Sequence, residues 1–262
     1  MPTSALHVAR TGLEAQDARM RVIANNLANV GTTGFKRDRA NFATLAYQDA
    51  RTPGQQSSGE TAYATGLNLG TGVSVQSTSQ IMTQGSLETT GNAYDVALDG
   101  DGYFQVGMPG GKTGYTRAGN FSLSAEGQLV TQQGYPLQPA ITVPTGTTSV
   151  SIAPDGTVSA SVAGEAAPTE LGQIQVARFA NPAGLQAIGD NFLVETAASG
   201  AAELGPGGED GRGRVRQSML ESSNVNIVEE LVDMIECQRA YEISSKMIAA
   251  VDDMLRNANQ TL

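Results

Sequence analysis

Apolar residues recur every seven positions at both ends of the chain. Near the start, Leu6, Leu13, Met20 and Leu27 form one row, and Ala9, Gln16, Ile23 and Val30 form a companion row. A heptad stripe of this kind predicts a helix over roughly the first 30 residues. Ser4 is the expected N-cap, and Gly31 and Gly34 are the expected stops. Near the end, Ile227, Met234, Tyr241, Ile248 and Leu255 recur in the same way. Cys237, Ser244, Val251 and Ala258 run beside them, and Met247 and Met254 widen the stripe. Asn226 and Glu229 have the spacing of a capping box. A helix from Asn226 to about Asn259 would be roughly 50 Å long at ~1.5 Å per residue.

Between the two ends the period changes. Short alternating runs (Asp95–Leu98, Tyr103–Val106, Phe121–Leu123, Leu129–Val130, Val150–Ile152, Ile174–Phe179, Phe192–Val194) are separated by Gly, Pro, Asp and Asn. Ala125–Gln128 and Pro154–Thr157 sit where hairpin turns belong. The pattern predicts an inserted, mainly antiparallel all-β module, of sandwich or irregular-barrel type. Two flanking stretches read as loose by composition, Tyr47–Ala64 and the glycine-rich Gly205–Gly213. The expected fold class is therefore α+β: a pair of long terminal helices, an irregular linking region and a β insertion.

A lone amphipathic helix is marginal in water and must bury its stripe. If the terminal helices pair with each other as a coiled coil, their outer flanks stay uncovered and point to contact with other chains. If they instead lie along the β module, they are ordinary packing elements. Helices this long would overhang a module of that size, which favours assembly. The expected interface residues are Leu6, Leu13, Met20, Ile23, Leu27, Val30, Ile227, Met234, Tyr241, Ile248, Val251 and Leu255.

Composition removes several function classes. The net charge is −10, against the basic footprint a nucleic-acid binder needs. The one basic cluster, Lys36, Arg37 and Arg39, is interrupted by Asp38 and reads as a solvated turn. A single cysteine, Cys237, allows no internal disulfide and reads as a small apolar filler. No apolar run approaches the ~18–20 residues of a membrane span, and Met1–His7 lacks the pattern of a cleavable signal. His7 is the only histidine, with nothing around it to mark a metal site or a triad. Asp99-Gly100-Asp101-Gly102 lacks the further ligands of a calcium loop and reads as a turn. Gly205–Gly213 lacks the ending of a phosphate loop. No catalytic residue, metal site or cofactor is expected.

Three regions of the chain, its two ends and its middle, resemble the bacterial flagellar axial proteins, the rod and hook family. Ile23–Lys36 (IANNLANVGTTGFK) resembles the N-terminal signature, and Glu221–Val232 with Ile235–Glu242 resembles the C-terminal one. Asp95–Val106 and Tyr115–Phe121 are similar to the start of the β domain. The residues that carry the end signatures are Asn25, Asn26, Asn29, Gly34, Phe35, Asn224, Val225, Asn226, Glu229, Arg239 and Tyr241. The resemblance implies helices 1–35 and 222–262 in an inner coiled-coil tube. It also implies a linking region 36–94, an outer β domain 95–204 and a return linker 205–221. The length and the Tyr47–Ala64 insertion resemble a subunit of the distal rod more than the longer hook protein. Such a subunit would form a straight, rigid helical tube that transmits torque across the periplasm. Its implied partners are itself, proximal rod proteins, the hook protein, the peptidoglycan and outer-membrane ring proteins and the flagellar type III export apparatus, through which it would leave the cell without a cleaved signal. Two alternatives remain at this point: a proximal rod member with a similar β domain, and a rod-associated peptidoglycan hydrolase, which would need paired carboxylates such as Asp99 and Asp155.

Overall fold

A computed structural model describes residues 2–56, 63–163 and 167–260, without the side chains of 2–4, 255 and 258–260. The fold is α+β. Helix α1 spans Pro2–Ala28 and helix α2 spans Ile227–Gln260, with short strands between them. Proline is well suited to a first helical position, because its missing N–H is not needed there. The helix therefore starts earlier than the sequence suggests, and Ser4 lies inside its first turn instead of capping it. α1 gives way to a turn in which the Thr32 N–H donates to the Asn29 carbonyl at 3.1 Å. Gly34 follows in the left-handed region at φ 68°. α2 opens on Asn226, whose Oδ1 accepts the Val228 N–H at 3.0 Å, so one of the unsatisfied donors of the first turn has a partner. Among the described residues, no helix is long and apolar enough to cross a membrane.

The chain divides into two units. The first contains residues 1–27, 38–79 and 226–262. Besides the helices it holds two strand pairs, Asp38–Thr44 with Val73–Gln80 and Tyr47–Arg51 with Leu67–Gly70. The second pair is antiparallel, so the start of the Tyr47–Ala64 stretch is extended and paired where its composition suggests a loose segment. Tyr63 returns onto it: its N–H donates to the Gln55 carbonyl, and the Arg51 guanidinium lies 3.9 Å from its ring centre. Ser57, Ser58 and Gly59 of that stretch lie outside the described residues.

The second unit contains residues 28–37 and 80–225. Its largest sheet has six strands in the order Gln186–Gly189, Phe192–Val194, Thr113–Thr116, Tyr103–Gly107, Val176–Arg178 and Glu203–Gly205. The pairings within it are antiparallel. A three-stranded sheet (Thr147–Ile152, Thr157–Val162, Thr169–Gln173) lies beside three two-stranded pairs. Both expected hairpin turns are present, before Leu129 and before Thr157. Successive strand residues face opposite sides, which yields two apolar clusters. One gathers Phe104, Val106, Leu98, Leu129, Leu137 and Ile174, with Phe104 and Phe121 packed edge to face at 5.3 Å. The other gathers Tyr103, Tyr115, Phe179 and Leu193.

Gly205–Gly213 reads as a linker by composition but is pinned in the structure. Arg212 is buried and donates to the Pro206 carbonyl, and the Gly213 N–H donates to the Asp101 carbonyl. A Cβ on Gly213 would come within 2.9 Å of the Gly100 backbone, so this glycine serves close approach of two chain segments. The stretch that follows carries the strands Arg214–Gln217 and Met219–Glu221, which pair with Val96–Asp99 and Leu87–Thr89.

Candidate assembly interface

Within the first unit, α1 and α2 meet side chain to side chain. The Cys237 thiol donates to the Gln16 carbonyl at 3.1 Å. Arg19 pairs with Asp233 at 2.9 Å, and the Asn26 amide donates to Glu230 Oε1 at 3.3 Å. Partner numbers fall on α2 as they rise on α1, so the helices run antiparallel. The buried positions of the two helices are Ala9, Thr11, Ala15, Ile23 and Asn26 on one and Glu230, Cys237 and Val251 on the other. Small and polar groups predominate, so the pair buries little apolar area per turn. Burial raises the pKa of the Cys237 thiol, which suits a filler and opposes a reactive nucleophile.

The residues expected at the interface fall into three sets. Ile23 and Val251 are buried. Leu6, Leu13, Met20, Leu27, Val30, Met234 and Ile248 are half-buried. Ile227 and Tyr241 are exposed, at 47% and 44%. The Leu255 side chain lies outside the described residues.

A second apolar face of α2 lies off the heptad stripe. Val228 is 69% exposed, Val232 and Ile235 are 51% exposed, and Ile243 is 63% exposed, with Leu231, Met247 and Met254 also uncovered. Nine residues separate Val228 from Cys237, which is two and a half turns at ~3.6 residues per turn, so they point in opposite directions. α2 thus meets α1 through a mostly small and polar row and carries a separate, uncovered apolar face off that row. The sequence contains a signal for this, because Val228, Leu231, Val232 and Ile235 are more aliphatic residues than one seam can use. None of the four belongs to the seven-residue row of Ile227, Met234 and Tyr241.

Several signature residues have local roles. Asn26 joins two residues, Glu230 and Asp38, since it also donates to the Asp38 carbonyl and accepts the Asp38 N–H, both at 2.9 Å. Asn25 donates to the Asp38 carboxylate at 3.3 Å. Asn29 Oδ1 accepts the Thr32 hydroxyl. Glu229 sits in the acidic first turn of α2, and Arg239 is exposed with Tyr241.

In the second unit, Gly34, Phe35, Asn224 and Val225 build one junction. The Gly34 N–H donates to the Glu221 carbonyl at 2.7 Å, and the Asn224 N–H donates to the Phe35 carbonyl at 3.4 Å. A Cβ on Gly34 would meet the Arg117 backbone at 2.7 Å. Val225 is buried. Lys36, which reads as a solvated turn residue, is instead 4% exposed and donates to Glu221. Local composition misses this because the partner is 185 residues away.

The other candidates for chemistry are accounted for as structure. Asp99 pairs with Arg216 at 3.0 Å. Asp155 accepts the Thr157 N–H and hydroxyl, which hold its carboxyl below the usual range. The carbonyls of Gly100 and Gly102 both accept from Arg117, so the turn presents them to a guanidinium. His7 Nδ1 lies 3.2 Å from the Thr71 carbonyl. Among the described residues, no group of three metal-ligating side chains comes together.

Both terminal helices and the β unit match known proteins. Residues 6–36 match the family described as flagella basal body rod protein. Residues 97–160 match the flagellar hook protein FlgE/F/G D1 domain, and 216–261 match the flagellar basal body rod FlgEFG protein C-terminal. The class defined by these matches is a structural protein of the flagellum, not an enzyme. The chain belongs to the flagellar basal-body rod and hook family. It is 48% identical to the flagellar basal-body rod protein FlgG of Buchnera aphidicola subsp. Acyrthosiphon pisum, over 97% of this chain and 98% of that one. It is 46% identical to the protein of the same name in Caulobacter vibrioides, over 98% of both chains. The flagellar basal-body rod protein FlgF of that same bacterium is 31% identical over 99% of this chain and 98% of its own.

Proposed function

We propose that this chain is the structural subunit of the flagellar distal rod. It assembles with itself into a straight, rigid helical tube that carries torque from motor to hook across the periplasm. The observation that carries the reading is the uncovered apolar face of α2, which runs from Val228 to Ile243 apart from the row that meets α1 and is left for neighbouring subunits. Repeated heterologous contacts of this kind build helical polymers, and each uncovered aliphatic side chain adds burial at roughly 25 cal/mol per Å².

In the assembled rod, α1 and α2 form a coiled-coil pair in the inner wall, with the exposed Ile227 and Tyr241 and the half-buried Leu6, Leu13, Met20, Leu27, Met234 and Ile248 turned partly towards neighbours. The ribbon of Tyr47–Arg51 and Leu67–Gly70 supports a role for the 47–64 insertion in lateral packing, since a two-stranded ribbon is marginal alone. It exposes Tyr47, Leu67 and Leu69. Proximal rod proteins and the hook protein bound the tube at its ends. The ring proteins surround it, and the flagellar type III export apparatus delivers the subunits unfolded. Higher identity to the FlgG protein than to the FlgF protein of one bacterium supports a distal over a proximal member.

Expression of this chain in two motile hosts, each lacking either the distal or one proximal rod subunit, tests the assignment. Swimming restored only in the distal-null host supports it. Rescue of only the proximal null would overturn it.

A further inference from the structure

Three buried charges meet in the second unit at the junction of the chain's two ends. Lys36 is 4% exposed, Arg117 5% and Glu221 1%. Lys36 lies eight residues beyond the end of α1, and Glu221 six residues before the start of α2. Glu221 Oε1 accepts the Lys36 ammonium at 2.5 Å and the Gly85 N–H at 3.0 Å. Its Oε2 takes no hydrogen bond and is held by the Arg117 guanidinium charge at 3.1 Å. Lys36 also donates to the Thr83 carbonyl, and Arg117 to the carbonyls of Gly100 and Gly102. Asn224 extends the junction. It accepts the Arg37 N–H at 2.7 Å and donates to the Ile81 and Thr83 carbonyls.

We propose that Lys36, Glu221 and Arg117, with Asn224, form a clasp that fixes the exit of the N-terminal segment against the entry of the C-terminal segment, and that its role is to set this junction for assembly more than to stabilise the β unit. This rests on the assembly reading above. Burying ions is costly, and apolar groups of similar size would often serve stability as well or better. What apolar groups lack is direction. Each contact of the clasp ties a different segment: 34–37, 81–85, 100–102, 117 and 221–224. One carboxylate serves two cations, so the carboxylate cannot be moved without disturbing both. Desolvation and the Arg117 charge lower the pKa of Lys36, and Glu221 alone among its nearest contacts offsets this through both charge and a hydrogen bond. A helical polymer repeats every subunit error along its length, so a fixed spacing between the end of α1 and the start of α2 is what assembly requires. Neither signature alone reveals the node, because its members come from three separate stretches of sequence.

The test is the full chain carrying Lys36→Met and Glu221→Gln together. The pair keeps the node's net charge, the Arg117 bonds to Gly100 and Gly102, and an acceptor for the Gly85 N–H. Three properties are compared with the native chain run in parallel: thermal melting of the β unit, amide exchange at Gly34, Arg37, Ser222 and Asn224, and polymerisation at raised concentration by light scattering and electron microscopy. The expected result is melting within a few degrees of native, at least tenfold faster exchange at the four amides, and at least tenfold slower polymerisation or polymers of irregular form. Native polymerisation with loosened amides would overturn the proposal, as would unchanged exchange. If the double variant fails to fold, Asn224→Ala, which strands no charge, must give the same pattern of loosened amides and impaired polymer, and native behaviour from it overturns the clasp. A native chain that does not polymerise would sink the assembly reading itself, an outcome distinct from the others.

Discussion

Tyr103 is a side chain whose role emerges only in three dimensions. Its ring is buried beside Phe179, and its hydroxyl lies 3.3 Å from the Met82 sulfur. Burial pushes its pKa up to about 12, and burial with the Glu195 carboxylate does the same for Tyr115. Both folded values lie above the ordinary value of 10.0, so the stability they contribute is present below pH 10 and is lost as pH rises towards 12. For Tyr103 the loss is roughly 2–3 kcal/mol at 1.36 kcal/mol per unit. Lys36 acts in the opposite sense: its lowered value makes stability rise with pH until the unfolded value of 10.5 is passed. Alkaline loss should therefore steepen above that point. Denaturant titrations from pH 9 to 12 should show Tyr103→Phe with a visibly shallower loss, and an unchanged slope would count against the burial argument. At this scale the sequence is partly legible. The Asp99–Gly102 turn and the two hairpin turns follow from Gly and Asp placement, because turn chemistry is local. Lys36 is not legible, because its environment is made by Arg117 and Glu221 from distant parts of the chain.

At the scale of the element, periodicity gives the helices to within a few residues, since a seven-residue repeat leaves few other options. It does not by itself say which row is deepest. Glu230, Cys237, Ser244 and Val251 share one row, and three of them are buried while the fourth is half-buried; the bulkier Ile227 and Tyr241 are exposed. Small side chains let backbones approach, so the small row takes the contact and the large row flanks it. The outer face of α2 then offers a clean separation of folding from assembly. Val228→Asp with Ile235→Asp places two charges at positions that are 69% and 51% exposed. Melting should move little, as exposed substitutions usually stay within about 0.5 kcal/mol each. Polymer yield should fall at least tenfold, since each charge would have to be desolvated against a neighbour. Sedimentation velocity reads both species, and a double variant that polymerises like the native chain would place the interface elsewhere.

For the whole molecule, the class of fold and the flagellar family are readable from sequence because their signatures lie at both ends and in the middle. The division into units is not. The strands at Asp38–Thr44 and Val73–Gln80 belong with the helices, while Ala28–Arg37 belongs with the β unit. Such a split depends on pairings 30 or more residues apart, which local pattern does not encode. The thin seam between α1 and α2 has a dynamic consequence. Helices that bury mostly small and polar groups against each other sit at the low end of local stability until a neighbour covers them.

In the proposed rod the terminal helices are completed by other copies of the chain. Amide hydrogen exchange on the full chain, free and polymerised, tests this most directly through peptides from residues 5–27 and 227–254. Fast exchange in the free chain and at least hundredfold protection in the polymer are expected, with the strands around Phe104 protected in both. Helices already protected in a stable monomer, with no further protection in any polymer, would contradict that completion.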